Sequence, residues 1–375
     1  MAVKIPPVIY PGVVLDPRRN SLNLIRLLLA TFVIVAHCFY TGGFGVGPEP
    51  GGENLGSWAV FGFFIISGYL ITGSRLSHRL GQYLTHRVAR IYPAFLACLV
   101  VTVTVIAPWA YIHQHGTWRG YIRTPNQPLH YLVENITLKM YNYNVAGTPA
   151  NIPYPGVWDG SLWTLYYEFA CYLLIGAIFC WAAVRRHSKA VVSVLFVLLV
   201  VAYWQIDPIM VLSGQNFDVR YLIKLGASFM GGAVLYVWRR QIRYNLPGVV
   251  VCLVVSWVVV WAWPTWGIQA VSPLLGYFLL WLAQVLPCPG VIRRQDISYG
   301  VYIYGFWAEQ ILAILGFQRW GMVLYTVASV LLTIPFAVLS WVIVEQPAMR
   351  RVRGQSAYPW IRLRGQRGQD QIGAS

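Results

Sequence analysis

From Pro247 to Leu286 the chain runs forty residues without one charged side chain. No soluble fold houses such a stretch easily, because it is too long for one core helix and has no charged face to turn toward water. A bilayer core about 30 Å thick needs roughly 20 apolar helical residues at 1.5 Å each, so the stretch reads as two spans. Pro264-Thr265-Trp266-Gly267 supplies the turn between them.

Other apolar runs repeat the pattern. Together they give ten expected spans, near 21–41, 57–74, 91–112, 161–183, 190–207, 219–238, 247–264, 268–286, 298–316 and 321–343. Only 11% of the 375 residues are charged, against about 25% in an average soluble domain, and a water-soluble globule is excluded. The expected fold is an all-α, polytopic integral membrane helix bundle of about ten transmembrane helices. The first apolar run starts near Leu22 and is longer than a signal-peptide core, so it is expected to stay as the first span.

Charge orients this bundle. Lys and Arg number 28 against 12 acidic residues, a net charge of +16. One set of loops takes 21 of the 28; the other takes Arg119, Arg123, Lys139, Arg220, Lys224 and Arg319, and Arg26 lies inside the first span. Basic residues stay cytoplasmic, so both termini are expected inside and the span number even. The basic excess is then a topology signal, and no nucleic acid partner is implied. Residues 1–20 are expected as a cytoplasmic N-terminal segment, 21–350 as the transmembrane domain and 351–375 as a basic, disordered cytoplasmic tail. The long loop 113–160, rich in Pro, Tyr, Trp and His, falls outside. Six scattered cysteines read as small apolar side chains, and His113-Gln114-His115 lacks the companions of a metal site, so no metal is expected.

Ionisable groups inside spans cost several kcal/mol and are candidates for function. Arg26 and His37 stand eleven residues apart, which returns to within about 20° of one helix face, some 16 Å along the axis. One stripe thus places a guanidinium near the cytoplasm and an imidazole near the outer side. Contact with lipid phosphates for Arg26, and simple packing for His37, are the plain alternatives. Arg87 and Arg90, three apart, put two guanidinium forks on one face, suited to phosphate oxygens, with cytoplasmic anchoring as the alternative. Ser161 is expected to cap the fourth span. Glu168, about two turns in, then reaches the depth of His37, where a carboxylate would orient the imidazole. Glu309 is a further carboxylate of this kind, and Glu345 is expected to pair with an arginine, Arg26 being one choice. Ser67-Gly68 is a small pair that allows close helix approach.

Taken in order, these segments resemble the acyltransferase-3 family of integral-membrane acyltransferases. The matching pieces are Arg26 with His37, the segment from Phe63 to Leu70, and Arg87-x-x-Arg90 followed by Tyr92-Pro93. Ser161-Leu162-Trp163 ahead of Glu168, Ser298-Tyr299-Gly300-Val301-Tyr302 and Glu345-x-Pro347 complete the set. The likeness runs from about Asn20 to Arg351. It departs at Gly305, where many relatives carry a histidine. The resemblance implies an O-acyltransferase of the bacterial cytoplasmic membrane. It would move an acyl group, usually acetyl, from cytoplasmic acyl-CoA to a hydroxyl of an extracytoplasmic glycan or lipid-linked sugar. It further implies CoA phosphates on Arg87 and Arg90 with Arg26 along the path, and His37 as general base or transient acyl carrier. Glu168 would hold the imidazole, and the outer loop would help select the acceptor. A proton-coupled transporter of a sugar or lipid-linked substrate would also use intramembrane Arg, His and Glu. The absence of a sequence repeat, and the placing of the arginine pair at a cytoplasmic mouth, favour the enzyme.

Overall fold

A computed structural model describes residues 20–352 and Gly354. The expected N-terminal segment and nearly all of the basic tail lie outside the described residues. Among those described, the chain is helical, with one isolated bridge between Val145 and Thr148 and no extended strand.

Each expected span contains a helix. We label the principal helices α1 (Leu22–Thr41), α2 (Leu55–Ser77), α3 (Leu80–His115), α4 (Pro128–Asn135, in the long loop) and α5 (Thr164–Ile178). They continue as α6 (Ser188–Trp204), α7 (Ile206–Leu212), α8 (Phe217–Val237), α9 (Leu246–Ala262), α10 (Ser272–Val285), α11 (Ser298–Ile314) and α12 (Met322–Val352). The uncharged forty residues do break around Pro264, into α9 and α10.

By length and composition α1, α2, α3 and α12 can each cross a membrane, and α6 with α7, bent by 79° at their junction, would make a fifth. The other expected spans are shorter or more charged. Helices α5, α9 and α10 have 15, 17 and 14 residues, about 20–26 Å of helix against a core of about 30 Å. Helix α8 carries Asp218, Arg220 and Lys224 in its first turns. By length and composition, then, four to five of the ten expected spans hold helices able to cross a membrane.

Local chemistry sets the helix ends. Asn54, Asn216 and Asn245 cap α2, α8 and α9 through their side-chain oxygens. Arg75, counted as a loop charge from sequence, lies buried in α2 and donates from Nε to Gly176 O and from Nη2 to Phe179 O, both at 3.1 Å. It thereby satisfies carbonyls at the end of α5 that no helix bond can reach. Helices α2 and α8 touch backbone to backbone. A Cβ on Gly68 would lie 1.8 Å from Phe229 O, and one on Gly232 would lie 1.9 Å from Ile65 O. This is the close approach expected of the Ser67-Gly68 pair.

The long loop is tied down by Asp159, which is fully buried. Its carboxylate accepts from Cys98 and Thr102 of α3, Tyr131 of α4 and Trp307 of α11. Burial raises the Asp159 carboxyl despite these four donors. Helix α11 is the axial element, with 14 of its 17 residues buried, and it packs against α1 and α12.

Candidate active site

Arg26, Arg87 and Arg90 gather at one end of the bundle, the arginine end; the long loop covers the other. A cavity of about 570 Å³ lies between them. Arg26, Arg87 and Arg90 line it near the arginine end, and Val60, Phe63, Thr164 and Tyr302 close it toward the loop end.

The three arginines are not equivalent. Asp296 Oδ2 takes Arg90 Nη2 at 2.6 Å and Arg26 Nη1 at 3.2 Å, and Arg90 Nη1 also reaches Glu345 Oε2 at 3.3 Å. Arg90 is thus held between two carboxylates. Glu345 meets Arg90 instead of Arg26, because the end of α12 that carries it packs against α3. Burial pushes the Asp296 carboxyl up, but Arg90, Arg26 and the Ser298 hydrogen bonds together more than offset this and leave it below the usual carboxylate range. Arg87 is different. Its guanidinium lies over the Tyr172 ring, 5.9 Å from the centroid, and its Nε is buried without a hydrogen bond among the described residues. The i, i+3 pair therefore offers the cavity one engaged cation and one with donor capacity to spare.

Glu168 stands further along the cavity wall. It accepts from Ser67 Oγ at 2.8 Å and Tyr172 Oη at 2.5 Å. It does not hold His37, contrary to the expectation from depth. Two facts explain this. Helix α5 starts at Thr164, so Glu168 is only about one turn in, and its side chain turns toward α2 and the cavity. Ser161 does not cap α5 either; its Oγ donates to Tyr302 O at 3.0 Å, tying the loop to α11.

His37 pairs with Glu309. Imidazole Nδ1 lies 3.5 Å from Glu309 Oε1. Ala30, Val33, Ile34 and Thr41, on the same face of α1, are all buried, so the ring points into the protein and not toward lipid. Glu309 is fully buried, and apart from this long contact neither carboxylate oxygen has a hydrogen-bond partner among the described residues. Such a carboxylate is costly unless it faces a cation or a strong donor. The imidazole is the group placed to serve. The pairing follows from direction: α1 and α11 run parallel, so Arg26–Asp296 and His37–Glu309 form the two ends of one interface. Gly305, one turn before Glu309, admits α1 to this contact, since a Cβ there would sit 2.7 Å from Ile34 Cγ1.

His37 is not on the cavity wall. Tyr302 lines the cavity, while Phe306, one turn further along α11, stands edge-on to the imidazole with centroids 5.2 Å apart. Phe63 packs on Tyr302 at 5.7 Å. A layer of aromatic rings thus interrupts the open path that the sequence led us to expect between arginines and histidine.

Half-buried arginines lining one end of a cavity, with an imidazole–carboxylate pair beyond it, make an arrangement suited to an anionic ligand and to proton or group transfer. The comparisons narrow that range. A family profile described as an acyltransferase domain matches residues 19–342, and the chain belongs to this family, acyltransferase-3. It is an acyltransferase. An O-acetyl transferase of Shigella phage Sf6 is 28% identical over 89% of this chain and 97% of its own length. Nodulation protein 10 of Rhizobium leguminosarum bv. viciae is 24% identical over 88% of this chain and 94% of its own. No solved structure matches.

Proposed function

We propose that this protein is a membrane O-acyltransferase that moves an acetyl group from cytoplasmic acetyl-CoA to a hydroxyl of an extracytoplasmic glycan or lipid-linked sugar. The Sf6 relative's name supports acetyl and oxygen as the group and the accepting atom. The basic-residue asymmetry supports a cytoplasmic arginine end. The His37–Glu309 pair carries the reading, because it gives an acyltransferase a buried imidazole oriented by a carboxylate.

In this reading Arg87 grips a donor phosphate, joined by Arg26 and Arg90 as Asp296 shares its contacts. The thioester arm runs past Ser67, Glu168 and Tyr172 toward Tyr302. Rotation of the ring layer then brings the acetyl group to His37. With Nδ1 turned to Glu309, Nε2 is the reactive nitrogen. By one route Nε2 takes the acceptor's proton as its oxygen attacks the thioester carbonyl, the C–S bond breaks, and the CoA thiolate receives the proton. By the other, Nε2 attacks first and displaces the thiolate, the acceptor oxygen then displaces the imidazole from the acetyl carbon, and the hydroxyl proton it gives up passes to the CoA thiolate. Both leave free CoA and an unchanged histidine.

Purified protein in nanodiscs, given radiolabelled acetyl-CoA and a membrane glycan fraction, tests this. Wild type should transfer label. His37→Ala should lose at least about 100-fold, the usual contribution of a positioned acid or base, while still binding the donor, and Glu309→Gln should lose turnover without losing donor affinity. Normal transfer by the His37 variant would overturn the catalytic assignment. Donor-independent sugar transport with no label transfer would point to a transporter.

A further inference from the structure

His37 keeps 14% of its side-chain surface uncovered, yet it is absent from the wall of the inner cavity. Its free surface therefore belongs to another compartment. His37 lies one turn from the end of α1, and the groups around it there are rings. Tyr40 stands 5.5 Å from the imidazole and 4.8 Å from Tyr154, centroid to centroid. Phe306 forms the floor, 5.2 Å from His37 and 6.2 Å from Tyr154. Tyr154, from the long loop, is 38% exposed, while Phe306 is buried.

This loop segment is fixed in place. Gln310, one turn beyond Phe306 and fully buried, donates from Nε2 to Tyr154 O at 2.8 Å and to Val157 O at 2.7 Å. Its Oε1 is buried without a partner among the described residues. The amide thus holds Tyr154 over the Phe306 floor and leaves one acceptor atom unmatched.

We propose that Tyr40 and Tyr154 form the acceptor platform, on which a pyranose ring stacks and presents a hydroxyl to His37; this rests on the acyl-transfer reading above. A pyranose has an apolar C–H face for the rings and hydroxyls for the phenols. A fatty chain would cover the rings and leave those polar atoms unmatched, which is the less favourable fit. The two substrates then approach from opposite sides of the ring layer, the donor through the arginine cavity and the sugar over Tyr154. Tyr154 is in this view a specificity residue, and Gln310 a positioning residue that acts through it.

The test uses the full chain in nanodiscs with labelled acetyl-CoA and methyl pyranosides of several configurations as surrogate acceptors, with glycerol as a ring-free alcohol. Wild type should label at least one pyranoside better than glycerol. Tyr154→Ala should raise the KM for that pyranoside about tenfold, the scale of a lost aromatic contact, and move the KM for acetyl-CoA less than twofold. Tyr154→Phe keeps the ring and should stay within about threefold of wild type, while Gln310→Leu should follow Tyr154→Ala. Equal rises in both KM values, or an unchanged pyranoside KM in Tyr154→Ala and Tyr40→Leu, would overturn the platform. So would wild-type labelling of glycerol and pyranosides alike. No turnover of acetyl-CoA by folded wild type would instead overturn the acyl-transfer reading itself.

Discussion

Arg87 carries the clearest prediction at the scale of single residues. Its Nε is buried beside the cavity with no hydrogen-bond partner among the described residues, so Arg87→Ala should raise the KM for acetyl-CoA about 10- to 100-fold, the worth of a charge-assisted hydrogen bond. Effects on kcat should be smaller. Initial rates at varied donor concentration check this, and a variant with only kcat reduced would remove Arg87 from the donor site. The sequence made Arg26 and His37 visible because ionisable groups in apolar runs stand out, and Arg87 through its i, i+3 spacing to Arg90. It named Glu168 as the partner of His37, where the structure has Glu309. Depth along a helix can be counted from sequence, but rotation about the axis cannot when the helix is apolar on every side, as α5 and α11 are. Asp296 was missed for another reason. It sits in the link before α11 and reads as a loop acid until folding brings two arginines to it.

Among the helices, the crossing of α2 and α8 is the least tolerant contact. The Gly68 and Gly232 positions leave no room for a methyl group against facing carbonyls. Gly68→Val should therefore force the helices apart and destabilise by at least about 1–3 kcal/mol, the usual range for overpacking. Thermal unfolding in detergent should fall accordingly, and an unchanged melting temperature would mean that the two helices separate without loss. A helix was foreseen in each of the ten expected spans because apolar runs of this length have few alternatives. Their ends were not, since ends depend on caps and on partners distant in sequence. Ser161 shows this well: read as a cap, it instead bonds to Tyr302 O across the bundle. Arg75 gave no hint that it would finish a helix one hundred residues away.

For the molecule as a whole, orientation is the open expectation that charge supports most strongly. In a chain whose six cysteines are replaced, single cysteines at Gly116 and Gly214 should react with a membrane-impermeant maleimide from outside the cell. Cysteines at Arg186 and Gln241 should react only after permeabilisation. The opposite pattern would invert the bundle and move the arginine mouth away from cytoplasmic donors. The ring layer of Phe63, Tyr302 and Phe306 bears on this same scale. A bore filled with water from Arg26 to His37 would let protons run down their gradient between turnovers. On the proposed reading a septum of aromatic rings would break any such wire, and a two-carbon cargo would pass outward without discharging the membrane.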